Sequence, residues 1–502
     1  MEIGRDAYLE RLKRLRFKGG VKIITGVRRG GKTYLLFNIF QDYLLESGVP
    51  RDHIIPIALD SIENKHLRDA EALYREVVSR IVDADGYYVM IDEIQLAEDF
   101  VDFVNGLANR KNVDLYITGS NSRFLSSDIV TEFRGRGTEI NVRPLSFSEY
   151  IQTTDKDERS AWRDYLTYGG LPGTVDLEDE DKVAYLEDLV KVLYLRDIVE
   201  RKNVRLPDVL DAVYDVLSSG IGSLTNPHRI TSIMRDRKVE VDGNTVSEYI
   251  SYLEDSFLFE RSKRFDLKGN GYIDTPSKYY SVDLGLRNAK LGFRQNEYSH
   301  LMENAIYNEL RRRDYKVDVG VIGIREYIAG KRKYRQLEID FVANKGSERI
   351  YIQSAYRMDE PDKREQKLRP FLKMNDGFRK LVLVGDDVPT HVNEKGVIIM
   401  NVVDFMKDPD SLRTVPRLRY GPVGRFLPPD EGRTMTTTFP NCGTIQSRLR
   451  LLRPTYRILH DDGILGESEL LEDLRVLLYD ADRVPSPVLV PLLLGRPQDL
   501  HG

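Results

Sequence analysis

Gly26-Val27-Arg28-Arg29-Gly30-Gly31-Lys32-Thr33 matches the spacing G-x-x-x-x-G-K-[ST] at every fixed position. Glycines at these places let the backbone curl so that several N–H groups converge on an anion. A lysine next to them supplies a point charge for β- and γ-phosphates, and a threonine hydroxyl suits Mg²⁺. The expected nucleotide-binding set is therefore Gly26, Arg29, Gly30, Gly31, Lys32, Thr33 and Tyr34. A second group follows at Tyr87-Tyr88-Val89-Met90-Ile91-Asp92-Glu93, an apolar run that ejects two acids at its tip. Asp92 is expected to hold Mg²⁺ with Thr33, and Glu93 to act as general base on the water attacking a γ-phosphate. Ser120 and Asn121, after Ile117-Thr118-Gly119, are expected to contact that phosphate or water, the alternative being a plain strand-end turn. Arg134 and Arg136, in Phe133-Arg134-Gly135-Arg136-Gly137, could reach a phosphate of their own chain or a neighbour's, or form a surface ion pair.

These groups need a frame that puts them at one edge. β-Branched and apolar runs at 21–25, 53–60, 87–93, 114–120 and 138–143 alternate with helical patterns at 67–82 and 99–109. That alternation predicts an α/β domain with a parallel sheet and helices on both faces. Ligands of such sheets sit beyond the carboxyl ends of the strands, where Gly26, Asp60, Asp92 and Ser120 all fall. Residues 1–18 form an amphipathic pattern in which Arg5 and Tyr8 either touch the nucleotide base or, as the spacing favours, pack in the core.

Composition narrows the class. The chain has 502 residues, a formal net charge of −5 and one cysteine, Cys442. Bulk charge excludes a general polyanion binder, so any DNA or RNA contact must come from local basic patches. A single cysteine excludes an intrachain disulfide and suits the cytoplasm. No apolar run reaches the ~20 residues of a membrane helix.

The segments ITGVRRGGKT (24–33), IDEIQ (91–95), YITGSNSRFLS (116–126), FRGRGTEINVRPLSFSEY (133–150), YGGLPG (168–173), LYLRDIVER (193–201) and EIDFVA…YIQSAY (338–356) together resemble prokaryotic AAA-superfamily P-loop ATPases. Those proteins carry a C-terminal restriction-endonuclease-like domain of unknown function. The resemblance spans about residues 2–412. It implies ATP and Mg²⁺ as cofactors, ATP hydrolysis, and a winged-helix segment in the middle. The preference for ATP also rests on the absence of an Asn-Lys-x-Asp guanine-reading motif.

The domains are expected at 1–150 (P-loop ATPase), 151–290 (helical and winged-helix), 291–412 (restriction-endonuclease-like) and 413–502 (an atypical tail). Thr245-Val246-Ser247-Glu248 reads as a capping box opening a helix, followed by strand-like runs at 258–266 and 278–283. Acidic Glu248, Glu254 and Asp255 on that helix disfavour DNA, whereas Arg261, Lys263, Arg264 and Lys268 on the wing suit it. In the third unit Glu303, Asp340 and Gln353 fall where a nuclease core has carboxylates, and Ala355 where it has a lysine. An amide and an alanine there, with no lysine evident nearby and Glu338 as a substitute ligand, predict an inactive domain. Arg311-Arg312-Arg313 and Lys331-Arg332-Lys333 are either nucleic-acid contacts or solvated faces. The tail contains no lysine after Lys407, is richer in proline and leucine, and is expected to be poorly ordered and of different origin. The function expected is an Mg²⁺-dependent ATPase that moves its winged-helix and nuclease-like units. The alternative is an ATP-switched nucleic-acid binder with little turnover. An oligomer is compatible with either.

Overall fold

Five parallel strands, β1 (Val21–Thr25), β2 (Ile54–Ala58), β3 (Tyr87–Asp92), β4 (Val113–Thr118) and β5 (Gly137–Asn141), form a sheet in the order β2-β3-β4-β1-β5. The computed structural model describes residues 3–119, 137–294, 297–328, 331–358 and 360–414. The chain divides into two units, Met1–Val415 and Pro416–Gly502, and the second lies outside the described residues, as does nearly all of the expected tail.

Alternation along the strands builds two cores. Val21, Ile23, Val89, Ile91, Leu115 and Ile117 face one side, against Leu73, Val77, Phe103, Val104 and Leu107 of the helices Ala70–Ser79 and Phe100–Ala108. Ile24, Tyr88, Met90, Tyr116 and Ile140 face the other, against Tyr8, Leu12, Leu35, Leu36 and Phe40. Every residue of β1 and β3 is buried, the pattern of strands covered on both faces. Pro56 is tolerated because β2 is an edge strand. At the end of the sheet away from Gly26, the buried Lys22 and Asp114 pair, and Asp114 also accepts from Tyr116 Oη at 2.7 Å.

The helix Asp6–Leu15 takes the packing role. Tyr8 is buried and its hydroxyl accepts from the Arg143 N–H at 3.0 Å, while Arg5 is buried beside Glu149 at 3.5 Å.

Helices Glu158–Tyr168, Asp179–Asp188, Arg196–Lys202, Pro207–Ser219, Pro227–Asp236 and Gly243–Asp255 come next. The last of these starts earlier than the sequence predicts. Its cap is Asp242, whose Oδ1 accepts from the N–H groups of Asn244 and Thr245 at 2.7 and 3.0 Å, so Thr245 lies inside the helix. Val246, Ile250 and Leu253 point inward as expected.

A nine-stranded sheet follows. It comprises β6 (Leu224–Thr225), β7 (Phe259–Asp266), β8 (Gly271–Ser281), β9 (Lys316–Ile328), β10 (Lys331–Lys345), β11 (Glu348–Ala355), β12 (Arg379–Val384), β13 (His391–Val392) and β14 (Ile398–Asn401). Their order is β13-β14-β12-β11-β10-β9-β7-β8-β6. Strands from both sides of position 290 thus share one sheet, because β7 pairs antiparallel with β8 and parallel with β9. One apolar core runs from Val27 and Leu145 through the helices to Leu412.

Candidate functional site

Between β1 and the helix that begins at Lys32, the chain turns through conformations that only some residues tolerate. Gly26 has φ +135°, and a Cβ there would lie 2.0 Å from the carbonyl oxygen of Val142, the residue after β5. Gly31 has φ +93°, and Arg29 occupies the left-handed region at φ +61°. The helix Lys32–Tyr34 continues through a wider stretch, Leu35–Phe40, into Gln41–Glu46. Lys32 is buried, and its ammonium donates to the carbonyls of Gly26 and Val27 at 3.0 and 3.1 Å. Burial pulls its pKa below the ordinary lysine value, against the pull of Glu93 and Asp92. Thr33 and Tyr34 are exposed at the helix start, Tyr34 at 42%.

The tip of β3 faces this loop. Asp92 is buried, and its two oxygens accept from Thr33 Oγ1 at 2.8 Å and from Thr118 Oγ1. Burial pushes its carboxyl above the usual range, and the two hydroxyls work against that rise. Glu93 sits at φ +50°, its N–H donating to Thr118 Oγ1 at 3.0 Å. Its carboxylate accepts from the Gln95 amide. A hydroxyl and a carboxylate already side by side are the oxygen donor set a hard Mg²⁺ ion takes. A glycine loop with no room for a Cβ at Gly26 is the cradle a polyphosphate takes.

The sequence-predicted residues Gly26, Arg29, Gly30, Gly31, Lys32, Thr33, Tyr34, Asp92 and Glu93 all fall on this edge. Ser120, Asn121, Arg134 and Arg136 lie outside the described residues. Sequence reasoning passed over Thr118, which shares its hydroxyl between Asp92 and the Glu93 backbone. Its position at a strand end beside the candidates Ser120 and Asn121 was the available signal.

The loop is also gripped from outside the five-stranded domain. Arg28 pairs with Asp197 at 3.1 Å. Pro172 Cγ lies 3.7 Å from the Cβ position of Gly31. Gly170 N donates at 2.8 Å to the buried Asp283, which also caps the helix Leu284–Lys290 through the Leu286 N–H. Burial pushes the Asp283 carboxyl up to about 6, against the three backbone N–H groups that favour its ionised form. Arg143, one residue after the Val142 that touches Gly26, pairs with Glu260 on β7, and Arg311 Nε reaches Glu260 at 2.9 Å. Burial opposes ionisation of Glu260, but the two guanidinium groups hold its carboxyl below the ordinary value.

A second charged cluster lies on the nine-stranded sheet. Lys278 Nζ on β8 is 2.9 Å from Glu303, 2.8 Å from Glu338 and 3.9 Å from Asp340. Lys367 reaches Asp340 at 2.9 Å, and Tyr280 Oη donates to Glu303 at 2.8 Å. Gln353 is buried and donates from Nε2 to the Glu338 carbonyl at 2.8 Å. The expectation that no lysine lies near these acids is corrected here. Two are present, one contributed by the strand before the helix Tyr298–Arg312 and one by the helix Pro361–Leu368. Burial opposes the charge on Asp340, yet Lys367 and Lys278 keep its carboxyl below the usual value. Burial likewise opposes the Lys278 ammonium, and the three carboxylates raise its pKa.

Residues 18–151 match the family described as an AAA domain, and residues 159–297 match a domain of unknown function (DUF8612). An uncharacterized protein of Haemophilus influenzae is 32% identical over 411 residues, covering 80% of this chain and 98% of that one. An uncharacterized protein of Methanocaldococcus jannaschii is 26% identical over 390 residues, covering 73% and 82%. Among solved structures, the Walker-type ATPase PABY2304 of Pyrococcus abyssi aligns with 13% identity and a TM-score of 0.43, over 58% of this chain and 96% of that one. The chain belongs to the same family as the Haemophilus influenzae protein, and its amino-terminal part is an AAA domain built on a P-loop.

Proposed function

We propose that this member of an AAA-domain family is an Mg²⁺-dependent ATPase. The observation that carries the reading is the contact of Thr33 and Thr118 with the two oxygens of Asp92, beside Glu93 and the buried Lys32. Thr33 and Asp92 would hold Mg²⁺, which when bound supplies charge stabilisation to the β- and γ-phosphate oxygens. The glycine loop and Lys32 bind and orient the triphosphate, with Arg29 and Tyr34 at its rim. Glu93 takes the proton from the attacking water as general base. Ser120, Asn121, Arg134 and Arg136 keep their proposed roles at the γ-phosphate and the transition state.

In this reading hydrolysis moves the body behind the loop, through Asp197 on Arg28 and Glu260 on Arg143. The helices Pro207–Ser219, Pro227–Asp236 and Gly243–Asp255 with the hairpin β7–β8 serve as the winged-helix part of that body. The unit at 291–412 is an inactive restriction-endonuclease-like domain. Support for its inactivity is that Lys278 lies among the carboxylates where a cation would sit, and that neutral Gln353 stands in place of an acid.

The contact between the Gln95 amide and the Glu93 carboxylate favours a second reading, an ATP-switched nucleic-acid binder with slow turnover, because a base already engaged is less available to water. The test is steady-state phosphate release by the wild type and by Glu93→Gln, with and without DNA or RNA. Turnover that the substitution lowers by roughly 100-fold or more, with ATP binding retained, supports the ATPase. Negligible turnover in both, with ATP-dependent and salt-sensitive nucleic-acid binding, supports the switch.

A further inference from the structure

The antiparallel pair β9–β10 continues outward as a hairpin whose free end differs in charge from the rest of the molecule. Residues 325–335 carry Arg325, Lys331, Arg332, Lys333 and Arg335 against the single acid Glu326, in a chain of net charge −5. Glu326 is already paired with Arg369. Arg325 and Arg335 form no ion pair among the described residues, whereas Lys333 stands opposite Glu326 in the register and, like Arg335, on the other face from Arg325.

The same end carries two large aromatic side chains out of the core. Tyr327 is 77% exposed and Tyr334 is 64% exposed. Arg325 stands opposite Tyr334 in the register, so the two share a face, and Tyr327, two residues along from Arg325, shares it as well. As diagonal neighbours across the pair, the two tyrosines are separated by about 7–8 Å. Tyr334 lies back over Gly323, where a Cβ would come within 2.5 Å of the tyrosine hydroxyl. One side of its ring is therefore held against the strand and the other is free. Beside it runs a groove of about 550 Å³ whose lining includes the cations Lys268, Arg325 and Lys373, the acids Asp266 and Glu326, and Tyr334.

We propose that the outer end of the β9–β10 hairpin docks single-stranded nucleic acid, with bases stacked on Tyr327 and Tyr334 and phosphates drawn by Arg325 and by Lys268 and Lys373 of the adjoining groove. A single strand is the occupant these features fit. Its unpaired bases have free faces for the two rings, whereas a duplex keeps its bases stacked inside and offers the cations only its phosphates. Cations with no acid of their own meet the charge of such a strand without first breaking an internal pair. This inference does not depend on ATP hydrolysis.

The experiment is fluorescence anisotropy of the full chain with a labelled mixed-sequence oligonucleotide, single-stranded or annealed to its complement, at two salt concentrations. The single strand is expected to bind more tightly than the duplex. Tyr327→Ala with Tyr334→Ala is expected to weaken single-strand binding by about tenfold or more, while Phe at both positions retains it. Arg325→Ala with Lys268→Ala is expected to reduce the slope of log K against log salt by about 1.4. The positions are exposed, so an unchanged melting temperature is the fold control, and the Phe pair decides if the Ala pair melts early. The inference is overturned if the single strand does not bind, if the duplex binds as well, if the Ala pair binds like the wild type, or if only anionic lipid vesicles are bound.

Discussion

Replacing Lys278 with methionine keeps most of the side-chain volume and deletes the charge that three acids share. The loss can be apportioned from the geometry. Asp340 keeps Lys367 at 2.9 Å and the Ser354 N–H at 2.8 Å. The Glu338 side chain is 35% exposed and recovers hydration. Glu303 is 9% exposed and keeps only the Tyr280 hydroxyl, so it becomes an uncompensated buried carboxylate. Breaking a buried pair in this way costs about 3–5 kcal/mol. For the compact unit Met1–Val415 that is a fall in melting temperature of about 3–6 °C near neutral pH. Thermal melts of wild type and Lys278→Met near neutral pH are the assay. A loss below about 1 kcal/mol would refute the claim that Lys278 is the counter-ion of this cluster.

Asp283 is expected to oppose stability as pH rises. Its folded value near 6 exceeds the unfolded value of about 3.9, so native stability falls by roughly 2–3 kcal/mol between those pH values, and Asp283→Ala should flatten that part of a denaturation profile. Gly26→Ala forces a Cβ against the Val142 carbonyl and should abolish nucleotide uptake, measured by calorimetry, at a cost of about 2–4 kcal/mol in stability. Asp197→Asn removes the carboxylate beside Arg28 and should shift nucleotide affinity by no more than about fivefold, read by the same titration.

The phosphate loop was legible because its signal is local: eight consecutive residues fix the turn, and the flanking apolar runs fix the strand and helix. The parallel sheet was legible from the alternation of Val21–Thr25 and Tyr87–Asp92 with helical patterns. What escaped was set by distance along the chain. Lys278, Glu303, Asp340 and Lys367 come from four elements, and a search for a lysine close to Gln353 could not find one contributed by an earlier strand. Asp197 is far from Arg28 in sequence, and nothing in its surrounding helix marks it as a partner of the loop. The helix before β7 was placed by its apolar period but started too late, because Asp242 caps it without the Thr-x-x-Glu spacing. β7 and β8 read as a free hairpin because pairing with β9, 50 residues on, leaves no mark in either segment.

That last pairing limits how force can travel. Val142 abuts Gly26, Arg143 joins Glu260, and Glu260 belongs to a strand laced by backbone bonds to β8 on one side and β9 on the other. A push arriving from the phosphate loop would therefore meet a stiff plate, not a row of hinged parts. In the proposed ATPase cycle, the hairpin tip with its tyrosines and the lysine–carboxylate cluster would ride on that plate together.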